Sequence, residues 1–190
     1  MSRNDDETVS NDQSERWRRN CNGQVGSEGG SPRSKLRRVK PLVLGVDPGM
    51  SGATVALTRS GKVEGIIKHS ETPCEVARFI RLRRKAVVFA VLEKVHSMPR
   101  QGVRSSFTFG TSFGLSLGCF WSHRIRFKEE TPQKWQGFMK CRTGGDKNIS
   151  KKAAEKLFPG MKITHATADA LLIAEYARQM ARKLGYFEEV

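Results

Sequence analysis

Residues 86–93 read AVVFAVLE, a run in which only the last position is charged. A short, continuous apolar run rich in β-branched residues suits a strand buried on both faces. Such a strand sits in the middle of a sheet with helices packed above and below it, which makes the chain α/β. A second run of the same kind, PLVLGVD at residues 41–47, also ends in an acid, here before a Pro-Gly turn. Two buried strands that each finish on a carboxylate are the feature from which the rest of the reading follows.

Around them the order of elements is legible. After Asp47 and the turn PGMS, residues 52–58 (GATVALT) form a second strand; Ser60-Gly61 marks a turn, and VEGIIK at 63–68 a third strand. These short connections make an antiparallel meander. Thr72, Pro73 and Glu75 have the spacing of a capping box with proline at the first helical position, which starts a helix reaching to about Lys85. The buried strand at 86–93 follows. Residues 94–104 form a basic loop, 105–121 a helix of small residues, and 124–128 (RIRFK) a fifth strand. Thr131-Pro132 opens a short helix with Trp135 and Phe138. A Gly-rich basic loop at 141–147, a helix at 148–158 and a last helix at 164–184 complete the chain. A helical crossover after the third strand returns the fourth beside the first, so the expected sheet order is 3-2-1-4-5. Its topological switch, where open α/β sheets place their sites, lies between the first and fourth strands.

That order brings Asp47 and Glu93 to adjacent ends of parallel strands, about 5 Å apart by strand spacing. Two acids so close repel unless a cation or a shared proton compensates, and hard cations such as Mg²⁺ take carboxylate oxygens. The last helix begins THATADALL. His165 and Asp169 are four apart and share a face, and the small and apolar neighbours Ala168, Ala170 and Leu171 turn Asp169 toward the sheet. An inward acid needs a partner. Asp47, Glu93, His165 and Asp169 are therefore candidate ligands for two Mg²⁺ ions, which would act on a phosphodiester.

Composition agrees. The formal charge is +15, and residues 41–190 keep most of it, since residues 1–40 hold nine basic and six acidic residues. A basic surface around an acidic centre suits a nuclease, with lysines and arginines on the backbone phosphates. Residues 1–40 have seven hydrophobic residues and no period, so they are expected to be a disordered basic tail ahead of a single domain at 41–190. The N-terminus lacks the apolar core of a secretory signal, no apolar run reaches membrane-spanning length, and four scattered cysteines suggest reduced thiols. The expected setting is intracellular, with DNA. A P-loop is excluded, because GxxxxGK[ST] does not occur. Cys119, His123 and Cys141 do not have the spacing of a zinc site, and a fourth ligand is missing.

The segments GVDPGMSG, AVLE, MPRQGVRSSFTFGTSFG, PQKW, DKNISKKAAEKLFP and HATADALLIAEYAR, taken in order over residues 42–182, resemble the RuvC-type Holliday-junction resolvases of the ribonuclease H-like fold, including phage-type and plant chloroplast members. The resemblance implies a homodimer that makes paired nicks in four-way DNA junctions with Mg²⁺, or Mn²⁺ in its place, and needs no small-molecule cofactor. It matches Asp47, Glu93 and Asp169 to metal-binding acids and Lys147 to a basic residue near the scissile phosphate. His165 stands where many relatives have aspartate, and an acid pair common in such proteins is absent because residues 166–167 are Ala-Thr.

Further residues are read as DNA contacts: Arg100, Gln101 and Arg104 in the loop beyond Glu93, with Gln101 able to pair with a base edge, and Lys134 and Lys151 on later helices. Trp135 is expected in the core rather than stacked on a base, and Phe107, Phe109 and Phe113 in the core or an interface. Gly110, Gly114 and Gly118 form a bare helix stripe that packs on the sheet or on a second subunit. Three other functions compete. An ATP-dependent kinase of the actin–hexokinase type would need a second lobe for which this chain is too short. A non-catalytic DNA-binding relative would have lost a ligand. Another ribonuclease H-like nuclease would act on hybrids or branched DNA.

Overall fold

A computed structural model of the chain describes residues 40–94 and 102–188. The expected tail therefore lies outside the described residues apart from Lys40. Three strands form the meander, β1 (Leu42–Val46), β2 (Ala53–Thr58) and β3 (Val63–Lys68). They are followed by α1 (Pro73–Arg83), β4 (Val87–Glu93), α2 (Val103–Ser122) and β5 (Phe127–Glu130). The chain continues through α3 (Pro132–Phe138), α4 (Lys147–Leu157) and α5 (His165–Lys183). The sheet runs β3-β2-β1-β4-β5, as expected, with β1 antiparallel to β2 and parallel to β4.

Alternation on the central strands divides the core in two. Val43, Phe89 and Val91 face one layer with Trp135 and the apolar side of α5. Leu44, Val46, Ala90 and Leu92 face the other, with Val76 and Ile80 of α1 and Phe120 of α2. A strand that serves both layers has no solvent side, which is why β1 is buried at every position. Thr72 caps α1 as expected: its hydroxyl accepts from Glu75 N, and Glu75 Oε2 accepts from Thr72 N at 3.2 Å.

The fifth strand differs from the expected span of 124–128. Arg124 takes a left-handed φ of 52°, and Ile125 N donates to Phe120 O at 2.9 Å, so these residues close α2 instead of extending. Pairing on β4 then starts at Ala90↔Phe127 and ends at Glu93↔Glu130. Glu130 is only 4 % exposed. It is held by the Tyr176 hydroxyl, which donates at 2.9 Å, and by Lys128 at 3.0 Å. Against its burial, Lys128, the tyrosine donor and Lys134 keep its carboxyl below the usual range, and burial together with this carboxylate pushes the Tyr176 phenol up to about 12.

The glycine stripe of α2 does not lie on the sheet. A Cβ added at Gly110, Gly114 or Gly118 would meet no described atom within 4 Å. Phe107, expected in the core or an interface, is 77 % exposed, and Trp121 is 65 % exposed. No helix among the described residues is long and apolar enough to cross a membrane.

The closest packing is between β1 and α5. A Cβ at Gly45 would stand 2.7 Å from Ala170 O and closer still to the Ala174 main chain. Backbone cannot yield as a flexible side chain can. Gly45→Ala is therefore expected to lift α5 from the sheet and to destabilise the protein by about 3 kcal/mol or more. A thermal melt within a degree or two of wild type would contradict this packing.

Candidate active site

Asp47 follows β1 and Glu93 ends β4, where Val46 pairs with Leu92. Position 47 continues the series 43, 45, and position 93 the series 89, 91, so both carboxylates lie on the α5 side of the sheet. Asp169 approaches from the second turn of α5, between Ala168 and Ala170 of the same core layer. Thr164 and Thr167 fix the start of that helix, with Thr164 N donating to Thr167 Oγ1 at 3.1 Å.

Each acid is held by its own local device. The turn after Asp47 folds back so that Gly49 N donates to Asp47 Oδ1 at 3.1 Å. Gly52 sits beneath the carboxylate, where a Cβ would come within 2.7 Å of Asp47 Cγ, so position 52 admits no side chain. Glu93 Oε1 accepts from the indole of the fully buried Trp135 at 2.9 Å. Trp135 is thus a core residue, as expected, and also the group that orients Glu93. That second role was missed in the sequence, because nothing in PQKW shows which way an indole N–H points. Ser150 of α4 lies beside Asp169 and eases the burial of its charge, yet Ser150 Oγ and Asp169 Oδ1 complete no hydrogen bond of good geometry among the described residues.

The electrostatics follow from crowding. Burial pushes Asp47 up to about 6; the Gly49 amide opposes this, Asp169 adds to it, and Lys147 opposes it again. Glu93 is pushed up to about 8, first by burial, then by Asp47; the Trp135 indole opposes and Asp169 adds. Asp169 is raised by burial and held down by Ser150, Lys147 and His165. Asp47, Glu93 and Asp169 therefore form one crowded acidic set, with the Lys147 ammonium and the His165 imidazole beside it. Lys147 is exposed at the first position of α4, behind the Asp146 cap, and His165 is exposed at the start of α5. The buried Cys141 thiol is pushed up to about 11 by its burial and by Asp169, so it is not poised as a thiolate ligand.

Among the described residues no three His, Cys, Asp or Glu side chains converge closely enough to grip one ion as they stand. The donor chemistry nevertheless fits a hard divalent cation: three carboxylates, one imidazole, and in Asp169 Oδ1 a buried acceptor with no partner among the described residues.

The expected DNA contacts divide. Arg100 and Gln101 lie outside the described residues. Arg104 is exposed and lines an open cavity of about 750 Å³ with Gly49, Met50 and Ser51 from the Asp47 turn. Lys134 reaches Glu130 at 3.4 Å, and Lys151 reaches Glu155 at 3.7 Å. The Lys151 pair is a surface ion pair of small energy, which leaves Lys151 able to exchange its carboxylate for a phosphate; Lys134 has an exposed ammonium, but its carboxylate partner is the buried Glu130.

No protein-family model and no curated protein matches the sequence. Solved structures do match. Thermus thermophilus RuvC in complex with Holliday junction substrate superposes with a TM-score of 0.52 at 15 % identity, over 77 % of this chain and 97 % of that one. A second Thermus thermophilus RuvC structure gives 0.50 at 16 % identity, over 76 % and 97 %. The yeast mitochondrial Holliday junction resolvase Ydc2 gives 0.46 at 14 % identity, over 93 % and 91 %. The chain has the ribonuclease H-like fold. Both RuvC structures are spanned almost completely, so the likeness extends over a whole domain of this architecture rather than a shared fragment.

Raised carboxyl groups make the stability of the metal-free protein depend on pH. Folded protein keeps protons on Asp47 and Glu93 that the unfolded chain releases at their ordinary values of 3.8 and 4.5. The penalty is absent below those values and grows as pH rises to about 6 for Asp47 and about 8 for Glu93. The melting temperature in EDTA should therefore fall by several degrees between pH 5 and pH 8. Glu93→Gln should remove most of the fall above pH 6. Parallel melting curves for the two proteins across that range would show that Glu93 is not strained.

Proposed function

We propose that this protein is a metal-dependent endonuclease that resolves four-way DNA junctions by paired nicks. The observation that carries the reading is the meeting of Asp47, Glu93 and Asp169 from three separate elements in a chain of formal charge +15. A protein this basic that buries three acids together, at the switch point of its sheet, has built a cation site facing a polyanion. The solved structure that the fold matches at a TM-score of 0.52 is described as a complex with Holliday junction substrate, which supports the choice of substrate.

Asp47, Glu93 and Asp169 would hold two Mg²⁺ ions, or Mn²⁺ in their place, with His165 as a further ligand at the rim. Bound there, the ions supply a water of lowered pKa and positive charge at the leaving oxygen. The protein's own groups do the rest. Trp135 fixes the direction of Glu93, and the Gly49 amide fixes Asp47, so neither carboxylate must reorganise as substrate enters. Lys147 places an exposed positive charge beside the acids, where it can meet the scissile phosphate. Arg104, Lys134 and Lys151 bind flanking phosphates, and Arg100 and Gln101, outside the described residues, are further DNA contacts by their place in the sequence beside Arg104.

Paired nicks need two sites, and α2 offers the surface for a homodimer. Val103, Phe107, Gly110, Gly114, Gly118 and Trp121 recur at spacings of three and four, so they form one stripe along the helix. It is exposed from end to end, with bulky apolar groups at its ends and bare backbone between. An antiparallel copy centred between Gly110 and Gly114 would lay Trp121 of each chain across Val103 and Phe107 of the other. Two active sites related by that two-fold suit a four-way junction, which has the same symmetry.

The deciding assay compares a four-way junction, a plain duplex and an RNA–DNA hybrid, with Mg²⁺ and with EDTA. Only the junction should be nicked, and only with metal. Asp47→Asn should lower the nicking rate by at least about 100-fold while junction affinity stays within about threefold, because binding rests on phosphate contacts. Retained nicking in that variant, or equal cleavage of all substrates, would sink the reading.

The dimer has its own test. Gly114→Arg has room to fold, since no described atom lies near a Cβ there. Sedimentation should show a dimer for wild type and a folded monomer for the variant.

A further inference from the structure

His69, directly after β3, is buried at 5 % exposure. Burying an imidazole costs free energy that a leucine of similar bulk would not, unless each ring nitrogen finds a partner. Both do. Nε2 is 2.9 Å from Thr54 Oγ1 on β2, which is itself fully buried. Nδ1 is 3.4 Å from Ser112 Oγ on α2. The ring also faces the main chain of Pro48 and Gly49, whose carbonyls partly offset the effect of burial in lowering its pKa. Its own backbone joins the same turn, with His69 N donating to Gly52 O at 3.0 Å.

One residue thus touches both ends of the five-residue turn that follows Asp47, and binds that turn to β2 and to α2. A second contact runs parallel to it. Phe109 of α2 covers Gly49, where a Cβ would lie 3.4 Å from the phenyl ring. Gly49 in turn supplies the amide that holds Asp47 Oδ1. The connection from α2 to the carboxylate therefore has two links on the α2 side, Ser112 through His69 and Phe109 through Gly49.

We propose that His69 is a positioning residue for Asp47: it ties the turn that carries the carboxylate to α2, and thereby sets where the carboxylate stands. The proposal rests on reading Asp47 as a working group of the site. A ring that only filled space would need neither hydroxyl. A ring that only satisfied Thr54 would not need to face the Pro48–Gly49 main chain or reach Ser112 on the helix packed over it. Thr54 and Ser112 hydroxyls can each donate or accept, so they suit a neutral ring in either tautomer, while carbonyl oxygens favour an N–H on their side. The turn is thereby held by the His69 N–Gly52 O bond and by a ring anchored on Thr54 and Ser112, and small displacements of a catalytic group are costly in rate.

The test measures the turn and the chemistry separately. In His69→Ala the Gly49 amide should exchange its hydrogen on the order of tenfold faster, as a turn that has lost its brace opens more often. Junction nicking should fall by about 10- to 100-fold with junction affinity unchanged, as expected of a displaced catalytic group. His69→Gln keeps a donor and an acceptor and should recover nicking to within about threefold of wild type. Ser112→Ala, which leaves the ring in place, should show a smaller rise in exchange and serves if His69→Ala does not fold. Unchanged Gly49 exchange in the variants overturns the proposal. So does a loss of nicking in His69→Gln as deep as in His69→Ala. If wild type leaves junctions intact, the nuclease reading fails, while exchange at Gly49 still decides what His69 does.

Discussion

Burial of Asp47, Glu93 and Asp169 side by side, with repulsion between them added, is the constraint around which the site is arranged. Desolvating one carboxylate is costly, and placing three together without a counter-charge is more so. The fold accepts this only at the end of the sheet where β1 and β4 run parallel, and it surrounds the acids with small corrections. A backbone amide serves Asp47, an indole serves Glu93, and Ser150, Lys147 and His165 ease Asp169. None of these neutralises the set, because Asp47 and Glu93 remain raised to about 6 and about 8. Strain of this kind is stored where function needs it.

Holding the acids together requires that α5 lie almost on the backbone of β1. The sequence allows this by omission: Gly45 on the strand, and Ala170 and Ala174 on the helix, leave no side chain between them. A helix one side chain farther out would carry Asp169 away from the other two acids. The same economy recurs at Gly52, where the missing Cβ makes room for the Asp47 carboxylate itself. Small residues at these points belong to the site as much as the acids do, although they touch no substrate.

The strand order and the three acids were legible in the sequence because they depend on local signals. Apolar runs ended in acids, turn dipeptides separated the strands, and Thr72 with Glu75 announced a helix start. Less was legible where an element's limits depend on a distant partner. The fifth strand slid by three residues because Arg124 and Ile125 were used to close α2, and because Glu130 could be buried only against Tyr176, far along the chain. Trp135 and His69 carry nothing in their neighbours that reveals their hydrogen bonds, which are settled by packing across layers. The glycine stripe fitted a sheet contact as well as a contact with a second subunit, and only the placement of α2 takes it off the sheet.

That placement gives α2 two different faces. Its inner side touches the turn of Asp47 through Phe109 and through Ser112 on His69. Its outer side is the exposed stripe from Val103 to Trp121. A contact made on the outer side therefore bears on the element that braces the Asp47 carboxylate, with one helix thickness between them. If a second copy docks there, its binding free energy holds α2 against the sheet and so holds the turn. A free monomer would keep the acids but align them less well. Chemically this is useful for a nuclease that must not nick singly, since a lone cut in a junction leaves it unresolved. The link is short and contained in one chain, so in the proposed dimeric nuclease alignment of Asp47 would be the point at which assembly and cutting are coupled.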